Sequence, residues 1–277
     1  MKKILKKILL FILNKKLFER FKLIYYKLKK LNSLKIIFYG EKNLKKDLEF
    51  NEKSLVNLGF SLKRIKHNLE KNGMDYYNED LSWHYHIFSG FKNNDKKLKI
   101  LEIGTGKGNF TNFLSNIFPN SHITTFDLPS NSKEFIKINK RDNLKFRKRY
   151  VKQRNKNLKK KNISFIAADS FNLLEKFNKN TFDLIWVDGD HSNPQCAIDI
   201  FQSILLLKKK SVIITDDIIK EYSYNKYYKN YYQYMSGFLN LKKLEEKKIL
   251  KNYYFIKRIR NTNAIIKKYI AYSIINN

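Results

Sequence analysis

Three aspartates at two places in this 277-residue chain have the types and spacing to act together: Asp188 in the run V-D-G-D-H, and the adjacent pair Asp216-Asp217. Each place follows a short apolar run, Phe182 to Val187 and Ser211 to Thr215, that reads as a buried parallel strand. In open parallel sheets ligands sit beyond the carboxyl ends of the strands, so these acids are expected at a site. Carboxylates converging there repel one another unless a lysine, a raised pKa on one of them, or a divalent cation intervenes. An all-oxygen set favours a hard ion such as Mg²⁺. The plainer alternative is that the aspartates form turns and cap helices.

The elements that must position them begin at Leu98 to Asn109, LKILEIGTGKGN. Lys99 to Ile103 reads as a strand carrying the acid Glu102, and helical apolar spacing starts at Phe110. Between them Gly104, Gly106 and Gly108 stand at alternate positions in a chain with only nine glycines. That clustering marks a backbone that takes positive φ or lets a ligand approach its amides. A strand, such a turn and a helix N-terminus together suit a nucleotide-like ligand. The dinucleotide pattern G-x-G-x-x-G is excluded, because Asn109 stands where its third glycine is needed.

Further strands, His122 to Phe126 and Ile163 to Ala168, alternate with helical patterns. The fold class expected is therefore α/β, a doubly wound, mostly parallel sheet. Asp127 closes the second strand, where an acid can accept both hydroxyls of a ribose. Asp169-Ser170 follows the third and can N-cap the helix Phe171 to Phe177.

The residues E-I-G-T-G-K-G resemble motif I of the class I S-adenosylmethionine-dependent methyltransferases, whose sheet is Rossmann-like. The resemblance implies that Glu102, Gly104, Thr105, Gly106 and Gly108 wrap the methionine part of the cofactor. It also places Asp127 at the ribose and Asp169 with Ser170 at the adenine. Lys247 to Leu250 and Tyr253 to Lys257 look like the terminal antiparallel hairpin such enzymes carry.

The D-G-D-H and D-D pairing is similar to the metal-dependent O-methyltransferases, both the sugar-methylating and the catechol-type enzymes. In that comparison Asp188, Asp216 and Asp217 match the metal ligands and His191 the general base. Catechol-type enzymes carry Asp-Asn where this chain has Asp216-Asp217. The chemistry implied is in-line transfer of a methyl to an oxygen whose proton passes to His191. The expected acceptor is a sugar hydroxyl of a surface glycan or its precursor. An RNA methyltransferase is the rival suggested by charge. Against it, V-D-G-D follows the fourth strand in place of an N/D-P-P-Y/F tetrad. A non-catalytic membrane-surface protein retaining the fold is the rival of another class.

The formal charge of +32 would point to nucleic acid or a membrane surface. Abundant Lys, Asn, Ile, Phe and Tyr with scarce Gly and Pro is also what AT-rich codons impose, so most of the lysine excess reads as solvated surface. One cysteine, Cys196, excludes an internal disulfide and fits a reducing, cytoplasmic compartment.

Residues 1–31 carry eleven Lys or Arg and one acid, Glu19, around helically spaced apolar positions. Two readings stay open for them: a basic amphipathic helix on the inner face of an anionic membrane, or a helix packed on protein. Residues 32–90 read as a helical lead-in, 91–260 as the catalytic domain and 261–277 as a tail. The segment Leu81 to Gly90, with Trp83, His84 and His86, is expected to be helical, either walling the site or packing on the sheet. Tyrosines crowd 218–243 and offer stacking faces suited to sugars.

Overall fold

The computed structural model describes residues 44–92, 96–138, 141–220, 235–260 and 267–276. Both the basic segment 1–31 and most of the tyrosine cluster, 221–234, lie outside the described residues. Contacts divide the chain into two units, Met1–Asp47 and Leu48–Asn277, and all that follows concerns the second.

A helical stretch over 48–57 leads into α1 (Leu62–Lys71), which Ser61 caps by accepting from the Arg64 amide. The short helix α2 (His84–Ser89) follows, and then the α/β alternation begins. Its members are β1 (Lys99–Ile103), α3 (Asn109–Ile117), β2 (His122–Asp127), α4 (Lys133–Lys137), α5 (Leu144–Asn157) and β3 (Ile163–Ala167). A 3₁₀ turn (Ser170–Asn172), α6 (Leu173–Lys176), β4 (Phe182–Val187), α7 (Gln195–Leu206) and β5 (Leu207–Ile218) come next. The chain ends in α8 (Ser236–Glu246), β6 (Leu250–Ile256) and β7 (Tyr269–Ile275).

The seven strands lie in the order β3-β2-β1-β4-β5-β7-β6. Strands β1 to β5 pair in parallel, and β7 runs antiparallel between β5 and β6. This is the doubly wound sheet with antiparallel C-terminal strands that the sequence predicts. The hairpin itself is differently placed. Lys247 to Ile249 precede the strand, Leu250–Ile256 is one continuous strand, and its partner is the tail segment Tyr269–Ile275. Lys251-Asn252, read from sequence as the connection, lie inside the ladder opposite Ile274 and Ser273. The physical reason is a buried run: the four consecutive residues Ile270 to Ser273 are all buried, as in a strand covered on both faces and inserted beside β5.

Strand order reverses between β1 and β4, so their carboxyl ends diverge and leave a crevice. An apolar cluster underlies it, in which Ile103, Ile185, Val187, Ile200 and Ile213 are all buried. The lead-in is tied to the far edge of the sheet. The Asn51 amide donates to Ile256 O and its Oδ1 accepts from Ile256 N, while the Trp83 amide donates to Lys257 O at 2.8 Å. These bonds set α2 over the strand tips. Among the described residues no helix is long and apolar enough to cross a membrane.

Candidate active site

A cleft of about 1420 Å³ opens at the carboxyl ends of β1, β2 and β4. Its floor is the glycine loop between β1 and α3. Gly104 has φ +99° and its amide donates to Phe126 O of β2. A Cβ there would stand 2.1 Å from the Asp188 carbonyl oxygen, so the tips of β1 and β4 close on each other only around a glycine. Gly106, at φ +58°, donates its amide to Asp127 Oδ2 at 3.0 Å. Gly108 does a different job from the expected one: at φ +71° it caps α3, its nearest neighbours lie on α5 and at Leu158, and it does not line the cleft.

Beneath the loop Glu102 is buried, with Oε2 accepting from both Thr111 Oγ1 (2.5 Å) and Thr125 Oγ1 (2.6 Å). Thr105, also buried, shares a hydrogen bond with Thr125, so loop, β1, β2 and α3 are joined through one carboxyl. Burial raises the Glu102 pKa to about 7 against the two threonine donors, which lower it. Because the folded value lies above the unfolded one, this group favours folding most below about pH 4.5, and that benefit is lost as pH rises through about 7. Glu102→Gln is therefore expected to flatten the pH dependence of stability and to gain up to about 3 kcal/mol at pH 8. Urea unfolding of both proteins from pH 5 to 8 checks this; parallel curves would refute it.

Asp127 sits at the tip of β2 as expected, half-buried and lining the cleft. Its oxygens also hold the backbone, accepting from Gly106 N and Leu128 N, and each keeps lone pairs for a ligand. Asp169 and Ser170 line the same cleft past β3. Asp169 caps the 3₁₀ turn through Phe171 N, and Ser170 Oγ accepts from Gln195 Nε2. Capping and lining are compatible here. The wall over the opposite side is α2, where His84 and Tyr85 line the cleft. Burial keeps His84 neutral at any physiological pH, with its pKa lowered to about 3, and its Nδ1 pairs with Ser82 Oγ. His86 faces the other way, stacked on Trp83 and bonded to Tyr76 O, so the two histidines diverge as a helix requires.

The acids on the tips of β4 and β5 do come together, with a feature the sequence reading missed. Lys257 Nζ lies 2.5 Å from Asp216 Oδ2 and 2.6 Å from Asp217 Oδ1, and Lys268 Nζ lies 2.6 Å from Asp217 Oδ2. Burial raises the pKa of Asp216 and Asp217, but the surrounding cationic groups, Lys257 foremost, together outweigh it and hold both below the usual carboxylate range. Asp188 goes the other way. Burial first and then the Asp216 charge raise its pKa. His191 Nε2 stands 3.6 Å from Asp188 Oδ1 and 3.8 Å from Asp217 Oδ2, and burial lowers its pKa against the pull of Asp217 and Asp216.

This arrangement fits a nucleotide-like cofactor and does not fit a divalent ion. For the cofactor, Gly104, Thr105 and Gly106 line the cleft with backbone that a ligand can approach, and Asp127 borders it with lone pairs free. For an ion, both oxygens of Asp217 and one of Asp216 already accept from ammonium groups. The remaining Asp216 Oδ1 is buried without a hydrogen-bond partner among the described residues. Among the described residues, no three His, Cys, Asp or Glu side chains are grouped so as to hold a metal.

One solved structure agrees with the fold, and another is similar to it. A candidate O-methyltransferase from Klebsiella pneumoniae superposes with TM-score 0.50 at 13% identity, covering 83% of this chain and 97% of its own. An O-methyltransferase from Bacillus cereus, solved with S-adenosylhomocysteine, gives 0.48 at 14%, covering 84% and 100%. No curated protein sequence matches the chain. Residues 101–218, from within β1 to the last residue of β5, match a family model described as a methyltransferase domain. Over residues 101–218 the chain therefore carries a methyltransferase domain, as its resemblance to the class I S-adenosylmethionine-dependent methyltransferases implies.

Proposed function

We propose that this enzyme is an O-methyltransferase that acts on a sugar hydroxyl, in a surface glycan or its precursor. The observation that carries the reading is His191, neutral and flanked by carboxylates across the strand tips from the glycine loop. S-adenosylmethionine supplies an electrophilic methyl carbon on a sulfonium. The chain's own residues bind, orient and deprotonate. The glycine loop and Asp127 hold the donor at its methionine and ribose ends, and Asp169 with Ser170 borders the adenine end. His84 and Tyr85 roof the cleft and exclude water from it. The acceptor oxygen forms its bond to the methyl carbon as the carbon–sulfur bond breaks with its electron pair going to sulfur, and the hydroxyl proton passes to His191. Aromatic and hydrogen-bonding walls of this kind suit a sugar ring. We place the enzyme in the cytoplasm, at the inner membrane face if residues 1–31 bind anionic lipid.

Calorimetry with S-adenosylhomocysteine is the first test: one saturable site is expected, and Asp127→Ala should weaken it by roughly tenfold to a hundredfold, the cost of lost hydrogen bonds to a charged group. Absence of heat from the wild-type chain would overturn the cofactor assignment. Labelled-methyl transfer into fractionated glycans and RNA then decides the acceptor, and label confined to RNA would overturn the sugar.

A further inference from the structure

We infer that Lys257 occupies, in this enzyme, the place a divalent ion holds in metal-dependent O-methyltransferases, and that methyl transfer here proceeds with that resident ammonium, beside Lys268, among the strand-tip acids in place of a metal. The inference rests on the function proposed above and names how its site is neutralised.

Lys257 is placed for this by backbone bonds on two sides. Its amide donates to Lys268 O at 2.9 Å, and its carbonyl accepts from Trp83 N at 2.8 Å, so β7 and the start of α2 both fix it. The side chain is 13% exposed and reaches past β7 to the acids at the tip of β5. On the other side, Asp217 has been turned to meet it. The residue has φ +54°, a left-handed conformation costly for a non-glycine residue, at a break in register between Thr215 and Ile218. The turn points one carboxylate oxygen at each lysine. A carboxylate destined for a metal would need an oxygen free of ammonium donors, and Asp217 has none.

Charge count reinforces the geometry. Asp216 and Asp217 face two ammonium groups, and burial with the Asp216 charge raises the pKa of the third acid, Asp188, so that it does not oppose Asp216 as a second anion. A metal added to this set would have to sit about 2.1 Å from oxygens that already touch an ammonium. Like charges would then lie within a few ångströms of each other in a partly dry site, where repulsion is strong. The lysine and the ion are therefore exclusive occupants. Lys257 acts as a positioning residue: it sets Asp216 and Asp217, which in turn border His191 and Asp188.

The test uses the full chain and Mn²⁺ as the probe, read by electron paramagnetic resonance and calorimetry without any turnover. Wild-type protein is expected to show no saturable Mn²⁺ site at millimolar concentrations, and its heat with S-adenosylhomocysteine should be unchanged by EDTA. Lys257→Ser and Lys257→Gln are expected to gain Mn²⁺ binding at least tenfold tighter than wild type, and Asp216→Asn added to either should remove it. Saturable Mn²⁺ binding by the wild-type chain that Asp217→Asn abolishes would overturn the inference. So would a folded Lys257 variant, by circular dichroism, that gains no Mn²⁺ site. The wild-type measurement alone decides the matter if both variants fail to fold. Because heat with S-adenosylhomocysteine reports the cofactor cradle and Mn²⁺ reports the acids, loss of one reading leaves the other measurable.

Discussion

Gly104→Ala is expected to abolish cofactor binding and to destabilise the domain by about 3 kcal/mol or more. Two costs add. A residue with a Cβ pays roughly 1–2 kcal/mol for a left-handed backbone, and Gly104 has φ +99°. The new methyl would also stand 2.1 Å from Asp188 O and 2.6 Å from Asp188 C, atoms of the next strand's backbone. A flexible side chain could swing aside, but a strand end hydrogen-bonded through Asp188 N to Ile103 O cannot without parting the two tips. Overpacking of this kind costs typically another 1–3 kcal/mol. Separating the tips widens the crevice in which the donor lies and displaces Asp188 and its neighbour His191. Urea unfolding and calorimetry with S-adenosylhomocysteine check the two halves of the expectation. A variant that binds within threefold of wild type would show that the loop does not cradle the ligand. Gly108→Ala provides the contrast, since its new Cβ would press on α5 and leave the cleft lining untouched.

What the sequence disclosed follows from which interactions are local. The glycine loop, the acids at strand ends and the helix of His84 each announce themselves within about a dozen residues, because turn chemistry and periodicity are written locally. Asp127 is legible for the same reason, since a strand, a tip acid and a turn are consecutive. Lys257 and Lys268 are not. Each is one lysine among dozens, and only the pairing of β6 with β7 and of β7 with β5 brings them to Asp216 and Asp217, some 40 and 51 residues away. One signal was available: Tyr269–Ile275 is a short, mostly apolar run of strand length, and a strand there demands a partner. Reading it as a tail moved the hairpin upstream and hid both cations. The expectation of a metal had the same origin. Three clustered carboxylates require a positive charge, and the sequence shows which acids cluster without showing which lysine reaches them. The role of Gly108 is hidden similarly, because its spacing matches a ligand loop while its close contacts come from α5, about 50 residues on.

His191→Asn is expected to lower kcat by about a hundredfold to ten-thousandfold while leaving affinity for S-adenosylhomocysteine unchanged, the range for removing a positioned general base. The pH profile carries the sharper test. Proton acceptance needs the neutral imidazole, and burial lowers the His191 pKa below its ordinary value of about 6.5. The acid limb of wild-type kcat should therefore fall below pH 6.5 and the rate should be flat through neutrality, whereas His191→Asn should lose that limb. The lysines enter here as well. Asp217 and Asp216 raise the His191 pKa, and Lys257 and Lys268 lower it. Lys257→Gln removes an ammonium and leaves the acids less opposed, so the imidazolium becomes easier to form and the limb should move to higher pH. An acid limb that stays in place in that variant would separate His191 from the lysine-held acids, and an undiminished kcat in His191→Asn would assign the proton to another group.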